Sequence, residues 1–122
     1  MTIVEDQTAA TSAAVARFSE AFDWHDVDGV MAAMSADCRF ESTGPAPDGD
    51  AFSGTSAVRE VWARFFQDNP DAKFVTEAQF AAGDRCVVRW RYDWGSRHVR
   101  GIDVFRVRGG EAVLCKGGKG GP

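Results

Sequence analysis

The sequence predicts an α+β domain in which three helices lie on one face of a curved antiparallel sheet and enclose an apolar pocket. Three observations predict it. Apolar residues recur at helical spacing early in the chain, alternate with polar ones later, and include nine Phe and four Trp among 122 residues. Helices grouped ahead of a run of strands pack on one side of an antiparallel sheet, because each element has one apolar face to bury. The length suits a single domain, which buries roughly two-thirds of its unfolded surface.

Thr8 to Asp23 reads as the first helix, with Val15, Phe18 and Phe22 on one stripe and Ala14 and Ala21 widening it. Trp24 and His25 interrupt the pattern. Asp26 then suits an N-cap, and Val27, Val30, Met31 and Met34 mark one face of a short second helix. Cys38 to Ser42 alternates as a strand. Thr43 to Gly54 holds three Gly and two Pro and reads as a loop. Thr55 caps a third helix with Val58, Val61, Trp62 and Phe65 inward, and Asn69-Pro70 ends it, since proline disfavours helical geometry in the residue before it.

Four strands follow as a meander. Lys73 to Ala82 turns at Gly83-Asp84 into Arg85 to Trp94, where Cys86, Val88, Trp90, Tyr92 and Trp94 alternate with Val87, Arg89, Arg91 and Asp93. Gly95-Ser96 makes a hairpin turn into His98 to Arg108, and Gly109-Gly110 leads to a short strand from Glu111 to Cys115. The Trp90 and Tyr92 face is the one the helices cover, and the Arg89 and Arg91 face points away. The boundaries are a domain over 1–115 and a Gly-rich tail over 116–122, whose glycines have poor strand propensity.

Composition narrows the function. Cys38, Cys86 and Cys115 are odd in number and show no CxxC spacing, which argues against a disulfide framework or a zinc site and for a reducing compartment. Met1 to Gln7 carries Glu5 and Asp6 and lacks the basic start of a signal peptide, and no apolar run reaches membrane-spanning length, so a cytoplasmic location is expected, with no membrane partner. Net charge is −4, yet seven Arg and only three Asp fall between Asp84 and Arg108. Alternation separates those arginines from the aromatics, whereas single-strand binders combine the two in one groove, so no nucleic-acid partner is expected. His25 and His98 are isolated, and no metal site is expected. Lys116 to Gly121 has no Ser or Thr after its lysines and is not a phosphate loop.

Asp103 stands out. Alternation puts it on the covered face with Gly101, Phe105 and Val107. Desolvation there raises a carboxyl's pKa, which suits a general base or a protonated donor. Tyr92 shares the aromatic face and could reach a ligand near Asp103. Trp24, Phe40, Trp62, Phe65, Trp90 and Phe105 are the expected walls of a substrate pocket, although aromatics in so small a fold serve packing first. Arg91 and Asp93 read as an ion pair on the outer face. Ile102 and Val104 on that face favour a homodimer contact.

Three strings carry a resemblance: Asp26-Val27-Asp28-Gly29-Val30 with Ser35 to Phe40; Phe52-Ser53-Gly54-Thr55-Ser56-Ala57-Val58-Arg59-Glu60-Val61-Trp62; and Arg100-Gly101-Ile102-Asp103-Val104-Phe105-Arg106-Val107 followed by Gly109-Gly110. In this order the chain resembles the superfamily of nuclear transport factor 2 (NTF2), ketosteroid isomerase and the SnoaL-like polyketide cyclases, from about Ala14 to Leu114. The resemblance implies a cone-shaped NTF2-like fold, no cofactor, and a functional aspartate at the position of Asp103. It also implies a tyrosine near Phe18 and a second aspartate near Ser42 for steroid isomerisation, and neither aligned residue can do that work. Arg91-Tyr92-Asp93 resembles the Arg-x-Asp of limonene epoxide hydrolases, but the last strand, Ala112 to Gly117, lacks their third carboxylate. The expected function is a small-molecule enzyme of cyclase or isomerase type, with Asp103 as acid or base. The alternatives are a non-catalytic binder of an apolar small molecule, a dimerising association module, and an epoxide hydrolase-like activity.

Overall fold

The computed structural model describes residues 3–119. The elements run α1 (Ile3–Asp23), α2 (Val27–Ala32), β1 (Met34–Ser42), β2 (Ala51–Ser53), α3 (Thr55–Asp68), β3 (Lys73–Ala82), β4 (Arg85–Trp94), β5 (Arg97–Arg108) and β6 (Glu111–Lys119). α1 begins earlier than its apolar stripe, at Ile3, with Glu5 and Asp6 in the first turn, where negative charge suits the helix dipole. Asp26 caps α2 as its position suggests, accepting from the Gly29 N–H at 3.0 Å. The N-cap of α3 is Gly54 rather than Thr55: Gly54 has φ +86° and no side chain caps the helix.

The strands form one six-stranded sheet in the order β2-β1-β6-β5-β4-β3. Three features correct the sequence reading. β1 runs parallel to β6, so the sheet is mixed rather than wholly antiparallel. The loop holds a short strand, β2, which pairs antiparallel with β1 through Phe40 opposite Phe52. β6 continues past Cys115 to Lys119, because Lys116, Gly117 and Gly118 are paired to β5 and Lys116 and Gly117 also to β1. Strand pairing on both flanks overrides the weak propensity of glycine. Lys116 to Lys119 of the expected tail are therefore sheet, and residues 120–122 lie outside the described residues.

The sheet's concave face packs on α1 and α3. Ala14, Val15 and Phe18 of α1 meet Val58, Trp62 and Phe66 of α3 and Cys86, Val88, Phe105 and Cys115 of the sheet in one buried core. α1 is also pinned to the β3–β4 turn: Thr11 Oγ1 donates to the Gly83 carbonyl at 2.7 Å, and the Gly83 N–H donates to Thr8 Oγ1 at 2.8 Å. At the end of α1 the chain reverses through His25, which takes φ +55°. The reversal turns His25 inward, stacked on Phe66 with Nε2 2.7 Å from the Ala72 carbonyl, and turns Trp24 outward.

Candidate functional site

Between the helices and the concave sheet lies an open cavity of about 830 Å³. α1 contributes Phe18 and Phe22, and α3 contributes Trp62 and Phe65. β4 presents Trp90, Tyr92 and Trp94, which alternation places on one face. Phe40 of β1 and Phe74 of β3 complete the aromatic wall. Most of the rings meet edge to face or tilted, as Phe22 and Phe74 do at 4.7 Å and Phe40 and Trp62 at 4.4 Å, while Phe18 and Phe22 stack at 5.7 Å.

Asp103 stands in this wall. It lies opposite Val88 on β4 and Gly117 on β6. Burial pushes its carboxyl up to about 6, and only the Trp90 indole pulls the other way. Among the described residues no Arg, Lys or His pairs with it. A carboxyl of this kind exists in both protonation states near neutral pH and can take or give a proton. Gly117 makes the space, since a methyl group there would overlap Asp103 Oδ1.

The other expected residues divide. Tyr92 is in the wall, but its hydroxyl donates to Asn69 Oδ1 at 2.9 Å, and burial raises its pKa. Phe40, Trp62, Phe65 and Trp90 line the cavity. Two do not. Trp24 is 79% exposed, because the helix ends before it and the reversal at His25 turns it to solvent. Phe105 is fully buried beneath the cavity, packed on Phe18 at 5.0 Å, and belongs to the core. Arg91 and Asp93 clasp each other on the outer face at 2.8 and 3.1 Å, away from the cavity that holds Asp103.

Several wall residues were not anticipated. Asn69 was legible only as a helix stop, yet it accepts the Tyr92 hydroxyl and donates to the Phe65 carbonyl at 2.9 Å. Asp23, at the last turn of α1, lies on the wall with its carboxyl raised by partial burial against the opposing charge of His25. Ser42, Thr43, Gly117 and Gly118 line the cavity where β1 meets β6. The signal for Gly117 was Asp103 itself: a carboxyl on the concave face needs a small neighbour on the adjoining strand. Trp62 and Trp90 each bury an indole N–H that has no acceptor among the described residues. Among the described residues no group of three His, Cys, Asp or Glu side chains gathers to hold a metal ion, and no helix is long and apolar enough to cross a membrane.

Comparison with known proteins agrees with this architecture. No curated protein matches the chain. An NTF2-like protein of unknown function from Mesorhizobium loti is 33% identical, with 94% of each chain covered and a TM-score of 0.83. A candidate ketosteroid isomerase from Kribbella flavida DSM 17836 is 17% identical, with a TM-score of 0.81, covering 99% of this chain and 84% of that one. A candidate SnoaL-like polyketide cyclase from Jannaschia sp. CCS1 is also 17% identical, with a TM-score of 0.78, covering 93% and 87%. The last two similarities speak to fold alone. The SnoaL-like domain model matches residues 15–114, which takes in the second half of α1, all of α3 and Asp103, and so the chain belongs to the SnoaL-like family.

Proposed function

We propose that this chain catalyses proton transfer at a carbon next to a carbonyl in an apolar small molecule, with Asp103 moving the proton. The observation that carries the reading is the carboxyl in the aromatic wall, raised to about 6 and with no cation partner among the described residues. Desolvation makes its ionised form a stronger base than an exposed aspartate, and the same group can return the proton to another carbon. The aromatic wall would hold a flat apolar ring system against it. Isomerase and cyclase chemistry both need such a step.

The test is incorporation of solvent deuterium next to the carbonyl of a panel of polycyclic ketones, read by mass spectrometry. Asp103→Asn keeps the shape and removes the base, so exchange falls by at least about a hundredfold. Undiminished exchange in a folded Asp103→Asn protein rejects the reading. One observation favours a second reading, a non-catalytic binder: the Tyr92 hydroxyl donates to Asn69 rather than into the cavity. A ketone that binds wild type and exchanges no deuterium would support it.

The outer sheet face supports a further proposal, that a second copy of the chain covers it. Phe80, Val87 and Val104 stand in register across three strands, and Phe80, Ile102 and Val104 are 67%, 50% and 39% exposed. An apolar row of this kind, beside charges of both signs, suits self-association.

A further inference from the structure

Trp90 and Asp103 are diagonal neighbours on the concave face. Trp90 pairs with Gly101, and Asp103 is the next inward residue of the same strand. The indole lies across Gly101 so closely that a methyl group there would overlap its Cζ2 and Cη2 atoms. The same indole is near enough to Asp103 to favour its ionised form. On the other side, Gly117 leaves room for the carboxyl, because a methyl group there would overlap Oδ1. Two glycines thus seat an indole and a carboxyl in one notch.

Neither group has another partner among the described residues. Trp90 Nε1 is a buried donor without an acceptor in this arrangement, which is costly to leave unmade. Among the described residues Asp103 has no cation partner. The indole is close enough to favour the ionised form, against the larger opposing effect of burial, but it makes no formed hydrogen bond.

We propose that Trp90 is a positioning residue for Asp103, its indole N–H closing onto the carboxylate when the proton leaves and relaxing when it returns; this rests on Asp103 being the working group of the cavity. Hydrogen bonds to an ionised acceptor are roughly twice as strong as neutral ones, so the contact tightens in one protonation state and loosens in the other. The movement would fix which carboxylate oxygen faces the ligand and keep the group able to work in both directions. The other titratable groups around the notch are few. Cys115 on β6 is a buried thiol held well above its usual range by burial and by the Asp103 charge. Tyr92 is engaged with Asn69, and Asp23 lies across the cavity on α1. The wall residues of α3 and β3 carry no titratable side chain.

The test needs no substrate. In protein carrying ¹⁵N-labelled tryptophan, the Trp90 indole resonance, assigned by its loss in Trp90→Phe, is followed from pH 4 to 8 in wild type and in Asp103→Asn. The expected result is a transition near the Asp103 midpoint in wild type and a flat line in Asp103→Asn. In Trp90→Phe, which keeps an aromatic ring in the wall, the Asp103 carboxyl followed by ¹³C NMR titrates about one pH unit higher. An indole resonance indifferent to pH, or one that follows the same curve without Asp103, overturns the proposal, and so does an unchanged carboxyl titration in a folded Trp90→Phe. If Trp90→Phe does not fold, Trp90→Tyr supplies the assignment, and the comparison of wild type with Asp103→Asn decides. Ketone exchange lost in Asp103→Asn alongside a flat indole would sink the positioning role and spare the catalytic one.

Discussion

The two faces of the β3–β5 strands carry carboxyls with opposite fates. On the convex face Glu77 accepts from Arg100 Nε at 2.9 Å, with Arg91 and Arg89 at 3.7 and 3.8 Å. The Arg100 hydrogen bond holds the Glu77 carboxyl below its usual range, and the Arg91 clasp does the same for Asp93. On the concave face Asp103 has an indole, a valine and a glycine for neighbours, and its carboxyl is pushed up. The difference between them is one of pleat: successive side chains point to opposite faces, so a slip of one residue would exchange an ion-paired carboxylate for a proton-transfer group. Alternation here keeps the cations of the convex face away from Asp103 and so keeps it chemically available.

That contrast can be broken from the convex side. The largest effect expected is on assembly. Val104→Glu puts a charge at one end of the apolar row, and desolvating a carboxylate across an interface is expensive. Sedimentation should then give a monomer at concentrations where wild type is a dimer, with ketone exchange by Asp103 intact. A wild type that stays monomeric removes the assembly proposal and leaves the cavity chemistry untouched. The smaller effect comes from Glu77→Gln. It leaves three arginines without their shared acid, and exposed pairs of this kind contribute little. A slight loss of stability at low salt, vanishing at high salt in denaturant titrations, is the expected result.

The same contrast explains what the sequence revealed. Strict alternation from Cys86 to Trp94 exists because one face of the strand is covered, and it identified the concave face and hence the side of Asp103. The α1 stripe of Val15, Phe18 and Phe22 was legible for the same reason. Long-range pairing was not. Nothing local says that the first strand lies beside the last in parallel, and a three-residue strand inside a Gly/Pro-rich loop has no period to detect. Gly117 and Gly118 look like strand breakers when judged by propensity, which knows nothing of the Asp103 side chain opposite Gly117 or of Thr43 packed against Gly118. Trp24 misleads because its direction depends on the backbone of His25, and a positive φ at a non-glycine residue leaves little trace in sequence.

The central claim concerns one proton. The Asp103 carboxyl lies at about 6 in the fold against 3.8 ordinarily. Its native pKa is the raised one, so it favours the folded state fully below about pH 4 and loses that contribution as pH rises through 6, a loss of about 3 kcal/mol by pH 7 to 8. Asp103→Asn should escape this loss and be the more stable protein at pH 8, with the gap closing toward pH 4. The most direct measurement is the ¹³C titration of the Asp103 carboxyl in the ligand-free protein. A midpoint near 6 is the predicted result, and a midpoint at or below 4 would mean that the group is solvated or paired and contradicts the account.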